Sequence, residues 1–415
     1  MNDWATVELG EIVRSGGGKI HTGPFGSQLH ASDYVSVGIP CIMPENMVDS
    51  RVDLSSISYI TESDAQRLSK YLVEGGDIVY SRRGDVTQKA LIRDDETGYF
   101  CGTGCLLLRP GSKIDSEFLA YYLSTNTMKE WIKQQAVGAT MPNLNTGILA
   151  RIPFKAPDKI EQIKLSKVIS SIDKKIELNN KTNTELEAMA KLIYDYWFVQ
   201  FDFPDENGKP YKSSGGKMVY NEELKREIPD GWEVKELSDI ANITMGQSPS
   251  GSSYNDSGEG AIFFQGSTDF GYRFPSVRQY TTEPNRLAKK GDILLSVRAP
   301  VGTLNIADND CCIGRGLAGL NSKDNTDSFL FYVMLYFKQI FDRRNSLGTT
   351  FGSITKDDLF SLKLVYPSSN ILLNYDNKVS DFTVKILNNH QQNKELIRLK
   401  DWLLPMLMNG QATIK

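Results

Sequence analysis

The chain has 415 residues, more than one hydrophobic core ordinarily serves, so two or more domains are expected. Hydrophobic residues make up 40% and charged residues 24%, a globular balance that excludes wholesale disorder and collagen-like repetition. Lys plus Arg number 47 against 51 Asp plus Glu; a net charge of −4 excludes a generic basic coat for nucleic acid, and any phosphate contact must use local positive patches.

Cys41, Cys101, Cys105, Cys311 and Cys312 are few and odd in number, which fits a reducing cytosol. Cys101 and Cys105 have no second pair and no nearby His to complete a zinc shell, so small buried thiols are expected and no metal. The opening MNDWATVELGEI lacks a basic n-region and an apolar h-region, and no apolar run reaches the roughly 18–20 residues that span a bilayer. A cytoplasmic protein is expected.

Along the chain the landmarks occur twice. Trp4-Ala-Thr-Val-Glu-Leu-Gly-Glu-Ile12 is echoed by Trp232-Glu-Val-Lys-Glu-Leu-Ser-Asp-Ile240, and Gly76-Asp-Ile-Val-Tyr-Ser-Arg-Arg83 by Gly291-Asp-Ile-Leu-Leu-Ser-Val-Arg298. Gly138-Ala-Thr-Met-Pro-Asn-Leu144 returns as Gly348-Thr-Thr-Phe-Gly-Ser-Ile354, and Asn183-Thr-Glu-Leu186 as Asn393-Lys-Glu-Leu396. Each copy reads as a globular module, 1–155 and 230–367, followed by a long helix, 156–200 and 368–412, with 201–229 as a Gly/Ser/Pro/Lys-rich linker. Short apolar runs, Asp77–Tyr80, Cys105–Leu108, Ile293–Ser296 and Leu362–Val365, predict strands between Gly and Pro punctuation. Ser116–Lys133 and Asp327–Arg343 have near-helical apolar spacing. The expected class is α+β: two similar β-rich modules, separated by two long antiparallel coiled-coil helices, in a pseudo-two-fold repeat.

Alternating steps of four and three trace one seam through Leu165, Ile169, Ile172, Ile176, Asn179, Asn183, Leu186, Ala190, Ile193 and Trp197. The same steps trace a second through Tyr375, Val379, Phe382, Ile386, Asn389, Asn393, Leu396, Lys400, Leu403 and Leu407. This is coiled-coil spacing, in which a buried polar residue fixes register. An antiparallel pairing would set Asn179 against Asn393 and Asn183 against Asn389. At about 1.5 Å per residue, residues 159–197 would make a rod of roughly 55–60 Å, expected to hold the modules apart.

Engines of catalysis are missing from the sequence. Gly16-Gly-Gly-Lys19 is followed by Ile20, without the hydroxyl of a phosphate loop. Pro229-Asp-Gly-Trp-Glu-Val-Lys235 places nuclease-like acids and Lys within seven positions, beside the repeated Trp232, and reads as a strand entry. With three scattered His and no Ser/His/Asp constellation, the chain reads as a binder.

The paired modules and helices, with Gly23-Pro-Phe-Gly-Ser-Gln-Leu29, Gly76-Asp-Ile-Val-Tyr-Ser-Arg82, Gly348-Thr-Thr-Phe-Gly-Ser-Ile354, Trp197-Phe198 and Trp402-Leu-Leu-Pro-Met-Leu-Met-Asn-Gly410, resemble the specificity subunit of type I restriction-modification enzymes. The resemblance spans nearly the whole chain. It implies two target-recognition domains that each read half of an interrupted, asymmetric site on double-stranded DNA, with the helices as ruler and dock. Two modification (methyltransferase) subunits would supply S-adenosylmethionine and methylate adenine. Restriction (translocase/endonuclease) subunits would supply ATP- and Mg-dependent translocation and cleavage, and this chain would bind no cofactor. The second copy carries Gly246-Gln-Ser-Pro-Ser-Gly251 where the first has Gly23–Leu29, as expected of a loop that sets specificity.

DNA contacts need Lys, Arg and hydroxyls for phosphates and bidentate Arg, Asn or Gln for bases. The first module offers Lys19, Ser27, Gln28, Arg82, Arg83, Gln88, Lys89, Thr140 and Asn143. The second offers Gln247, Ser248, Ser250, Gln265, Arg298, Arg315, Thr349, Thr350 and Ser353. Arg82 and Arg298 stand out because they follow matched strands. Apolar helix ends, Tyr194, Trp197 and Phe198 on the first and Trp402, Leu404 and Met406 on the second, are expected to dock partners. Competing readings are a stand-alone nuclease or methyltransferase, a scaffold with two protein-binding modules on a coiled-coil spacer, and the specificity subunit of a related bipartite system lacking a translocase.

Overall fold

Each module's central strand begins at a turn that only a glycine enters easily. Gly76 and Gly291 adopt φ of 88° and 97°, and the following Asp closes the turn. Asp77 Oδ2 accepts the Glu74 amide at 2.8 Å and Asp292 Oδ2 the Lys289 amide at 2.8 Å. The strands Ile78–Ser81 and Ile293–Ser296 are buried along their whole length, as continuous apolar runs covered on both faces should be. The structure, a computed structural model, describes residues 4–136, 138, 142–298, 300–346 and 353–413.

Around these strands the two modules build the same sheets. In the first, Lys19–Thr22, Cys105–Arg109, Ile78–Ser81 and Lys89–Leu91 lie side by side, all antiparallel. In the second, Ala241–Met245, Leu317–Ser322, Ile293–Ser296 and Leu304–Ile306 repeat that order. A further sheet in the first module sets Phe100–Cys101 parallel to Ile39–Ile42, then adds Ser58–Ile60 and Tyr34–Val35. Its counterpart sets Cys311–Ile313 parallel to Ala261–Phe264, then adds Tyr280–Thr281 and Tyr254–Asn255. Leu287–Ala288 extends it on the far side. Each module also pairs its first strand with its last: Thr6–Glu8 with Pro153–Lys155, and Glu233–Glu236 with Lys363–Tyr366.

The helices inside the modules differ in one respect. The stretch expected as one helix from Ser116 is two, Ser116–Tyr122 and Asn126–Gln135, because the Thr125 side chain caps the second at the Met128 amide. Asp327–Ser346 is continuous.

The chain divides into two compact units, 1–178 with 393–415, and 179–392, so that the boundary passes through both long helices, Lys159–Tyr194 and Ser369–Met408. In the first unit Leu165 and Ile169 share a core with Leu404, Leu407 and Met408. There Lys400 Nζ donates to Asp173 Oδ1 at 2.6 Å, and Tyr121 Oη donates to Asp173 Oδ2 at 2.8 Å. In the second unit Asn389 Nδ2 donates to Asn183 Oδ1 at 2.8 Å and Asn179 Nδ2 to Gln392 Oε1 at 2.9 Å. Ascending numbers on one helix meet descending numbers on the other, so the pairing is antiparallel. The α+β repeat with antiparallel long helices is the architecture the repeated landmarks predict. Every seam position is buried or half-buried, with Asn179, Asn183, Asn389 and Asn393 all buried.

Two expectations need correction. Residues 201–229 are folded rather than a free linker: Met218–Asn221 pairs with Arg226–Pro229, and Phe201, Phe203 and Ile228 are buried. Phe203 stacks on Trp232 with centroids 4.8 Å apart, while Gly208 and Gly215, at φ of 75° and 90°, make tight turns. Nor are Tyr194, Trp197 and Phe198 a docking face. They are buried in the core of the second unit, with Phe198 4.9 Å from Phe329 and 5.0 Å from Tyr375 between ring centroids. Leu404 is likewise buried and Met406 half-buried, whereas Trp402 is 62% exposed.

Candidate nucleic-acid interface

In the first module three neighbouring strands reach one edge together: Lys19–Thr22 ends there, Cys105–Arg109 starts there and Ile78–Ser81 ends there. Backbone bonds tie the loops that leave this edge. The Gly23 amide donates to Cys105 O at 2.9 Å, Arg82 to Gly104 O at 2.8 Å and Leu144 to Arg82 O at 2.9 Å. Arg83 forms a β-bridge with Asn143, and the Ser81 hydroxyl holds Arg83 O at 2.7 Å. Gln88 sits at the same place, its carbonyl accepting the Ser81 amide at 2.9 Å. Arg83 and Gln88 are exposed; Arg82 and Asn143 are half-buried. Among the described residues, Arg82 Nε and Asn143 Oδ1 are shielded from solvent and make no hydrogen bond.

The second module repeats the edge with other side chains. Val297 donates to Gly316 O at 2.9 Å, Ile354 to Val297 O at 2.9 Å and Gln247 to Ile313 O at 3.0 Å. Arg298 bridges Ser353. The Ser248 hydroxyl accepts the Arg315 amide at 3.3 Å, and Gly316 donates to Gln265 O at 3.3 Å. Gln247, Gln265, Arg298, Arg315 and Ser353 are exposed around this edge and Ser248 is half-buried. Ser250 follows on the same loop, its hydroxyl 2.8 Å from that of Ser252.

Three candidates do not join the edges as readers of DNA. Lys19 lies at the opposite end of its strand, paired with Arg109. Lys89 is 3% exposed and donates to Ser124 Oγ at 2.8 Å; burial, with Lys129 and Lys400 nearby, lowers its pKa to about 7, so it is no phosphate anchor. Gln28 is half-buried and committed within the chain: its Oε1 accepts the Tyr71 hydroxyl at 2.8 Å and the Phe25 amide at 3.2 Å. Ser27 beside it is exposed. Thr140, Thr349 and Thr350 lie outside the described residues.

Arg315 apart, the sequence candidates do not include the strip between the strands, Gly102-Thr103-Gly104 and Gly314-Arg315-Gly316. A Cβ on Gly102 would come within 2.8 Å of Ile42 O, and one on Gly314 within 2.9 Å of Gln265 Cα, so the glycines are close-approach positions. The repeated Gly-Xaa-Gly before each apolar strand was the available signal; it marks Thr103 as the counterpart of Arg315.

The five Cys are all buried, and burial pushes Cys41 and Cys311 up to about 12. Among the described residues no three His, Cys, Asp or Glu are grouped to hold a metal ion, and no helix is long and apolar enough to cross a membrane.

Comparison with known proteins agrees with this doubled design. A family model, the type I restriction modification DNA specificity domain, matches twice, at residues 1–188 and 229–398. The putative type I restriction enzyme MjaX specificity subunit of Methanocaldococcus jannaschii is 31% identical over 100% of this chain and 94% of its own. The HindI specificity subunit of Haemophilus influenzae is 23% identical over 99% and 100%. The crystal structure of the type I restriction-modification S subunit from M. genitalium superposes with a TM-score of 0.61 at 17% identity, covering 98% of this chain and 97% of that one, a likeness of fold. The chain belongs to the family of type I restriction-modification specificity subunits.

Proposed function

We propose that this chain is the non-catalytic address-reader of a type I restriction-modification complex, binding an interrupted, asymmetric site on double-stranded DNA with one half-site per module. The observation that carries the reading is the doubled edge: one strand topology, one set of backbone ties, and unlike polar side chains presented by each copy. Equal scaffolds give both modules the same way of meeting a duplex, with Arg82 on a phosphate, while Arg83, Gln88 and Asn143 on one and Gln247, Gln265, Arg298, Arg315 and Ser353 on the other give them different bases to read. S-adenosylmethionine belongs on two modification subunits, and ATP and Mg on restriction subunits. Exposed apolar residues of the long helices, Trp402 and Leu192 among them, supply docking area for such partners.

The test is fluorescence anisotropy of the chain assembled with its modification subunits, on the duplex identified by mapping methylated adenines in the host genome. Arg82→Ala should weaken binding across sequences and lower the salt slope by about one. Scrambling either half-site should abolish specific binding. Unchanged affinity for scrambled duplexes would refute the proposal.

A further inference from the structure

Phe25 is a large apolar side chain left 56% exposed at the tip of Gly23-Pro-Phe-Gly-Ser-Gln-Leu29. Its exposure is not slack in the loop. The Phe25 amide donates to Gln28 Oε1 at 3.2 Å, and the Gln28 amide returns to Phe25 O at 2.8 Å. Tyr71 Oη donates to the same Gln28 Oε1 at 2.8 Å, and both Arg67 terminal nitrogens donate to Gln28 O at 3.2 Å. Gly23, Pro24 and Leu29 are buried at the loop's feet. Both backbone groups of Phe25 are thus fixed while its ring faces outward.

The loop is fixed at the candidate DNA edge. Gly23 donates to Cys105 O and Arg82 to the adjacent Gly104 O, at 2.9 and 2.8 Å, so the Phe25 loop and Arg82 flank the same two residues. A pinned aromatic on a loop whose foot lies next to the Arg82 strand end can act on a duplex as an apolar wedge, which gains a base face by opening one step at the cost of unstacking it, while guanidinium groups of the same edge meet phosphates. A ring with only two side-chain torsions, on a backbone already ordered, loses little freedom on binding.

Resting on the proposed function, we infer that Phe25 stacks against a base at one step of the half-site read by the first module, opening that step and making its stacking energy part of the recognition. The effect is confined to one half-site. The corresponding loop, Gly246–Gly251, carries no aromatic, and the nearby Tyr254 is turned inward, its hydroxyl donating to Pro249 O at 3.1 Å and its ring 4.8 Å from that of Phe263.

The experiment uses the chain assembled with its modification subunits and target duplexes carrying 2-aminopurine at successive positions of each half-site, the methylated adenines excluded. The wild-type complex should change the fluorescence at one step of one half-site. Phe25→Ala should abolish that change and weaken binding roughly 5- to 100-fold, while Phe25→Trp keeps both. Arg82→Ala should weaken binding yet retain the perturbed step at saturation. If Phe25→Ala binds as wild type with the same fluorescence pattern, the inference fails while the DNA reading stands. If the wild-type complex does not distinguish target from scrambled duplex, the underlying reading has failed instead. Loss of assembly with the modification subunits on Phe25→Ala, without DNA, would make the ring a protein contact and overturn the inference.

Discussion

Asn183 and Asn389 meet across the paired helices with a single hydrogen bond of 2.8 Å, at 7% and 3% exposure. Replacing either one by Leu removes this bond and leaves the opposite amide buried without it, a penalty of about 1–3 kcal/mol. The new Leu offsets that by about 1.5–3 kcal/mol of apolar burial, so each single variant should lie near the wild type. The double variant has no stranded amide and two apolar side chains in contact. It should exceed the sum of the singles by roughly 2–4 kcal/mol, two avoided penalties less one lost bond, and raise the melting temperature. The price falls on register, because an apolar layer tolerates slippage that a hydrogen-bonded pair does not. A double-mutant cycle from denaturation midpoints measures the coupling, and amide exchange along residues 372–392 reports the register. Additivity within about 0.5 kcal/mol would refute the pairing argument.

Other perturbations address the buried charges. Lys89 has a pKa lowered to about 7, so the folded state binds fewer protons than the unfolded state between that value and about 10.4, and stability rises with pH across the window. Lys89→Met should therefore stabilise by roughly 3–5 kcal/mol below pH 7 and progressively less towards pH 10, read from denaturant midpoints at several pH values; a pH-independent gain would contradict the buried, neutralising ammonium. Arg273, its side chain 3% exposed, pairs with Glu187 at 2.8 Å and lies 4.4 Å over the Phe331 ring. Arg273→Met should cost about 2 kcal/mol, below the range for fully buried pairs because Glu187 keeps some solvent, and adding Glu187→Leu should recover most of it. Failure of the second change to rescue the first would place the loss in the Arg273 stack instead.

The framework was legible because it obeys periodicities that tertiary context seldom overrides. The alternating seam from Leu165 to Trp197 and from Tyr375 to Leu407 set the two helices and their polar layer. Gly-Asp before a four-residue apolar run located the central strand of each module. What misled was composition read without partners. The Gly, Ser and Lys of 201–229 resemble a linker, yet Phe201, Phe203 and Ile228 carry enough apolar surface to pack beside Trp232. Tyr194 and Phe198 lie off the seam and Trp197 at its end, and the Phe329 and Tyr375 rings that pack on them are far away in sequence. Lys89 reads as one more loop cation, and only the Tyr80 pairing shows that it stands inside a strand.

The candidate site was half legible for a related reason. Strand ends are marked by local sequence, but matching Arg82 with Arg298 is one residue out: Val297 makes the backbone ties of Arg82, and Arg298 bridges Ser353 as Arg83 bridges Asn143, while the strip between the strands is built by backbone groups marked in the sequence by their Gly-Xaa-Gly. Gly104 O and Gly316 O anchor Arg82 and Val297 through amide bonds of 2.8 and 2.9 Å, and a backbone carbonyl does this whatever residue stands at Thr103 or Arg315 between the glycines. Backbone ties therefore separate the stability of each edge from its chemistry. Residues at the tips can diverge without disturbing the sheet beneath, and the two copies have done so: Thr103 faces Arg315 in the alignment of the modules, and Phe25 has no aromatic counterpart in the second loop. Two readers of unlike half-sites can thus share one scaffold, since the atoms that hold each edge in place are different from the atoms that would read the DNA.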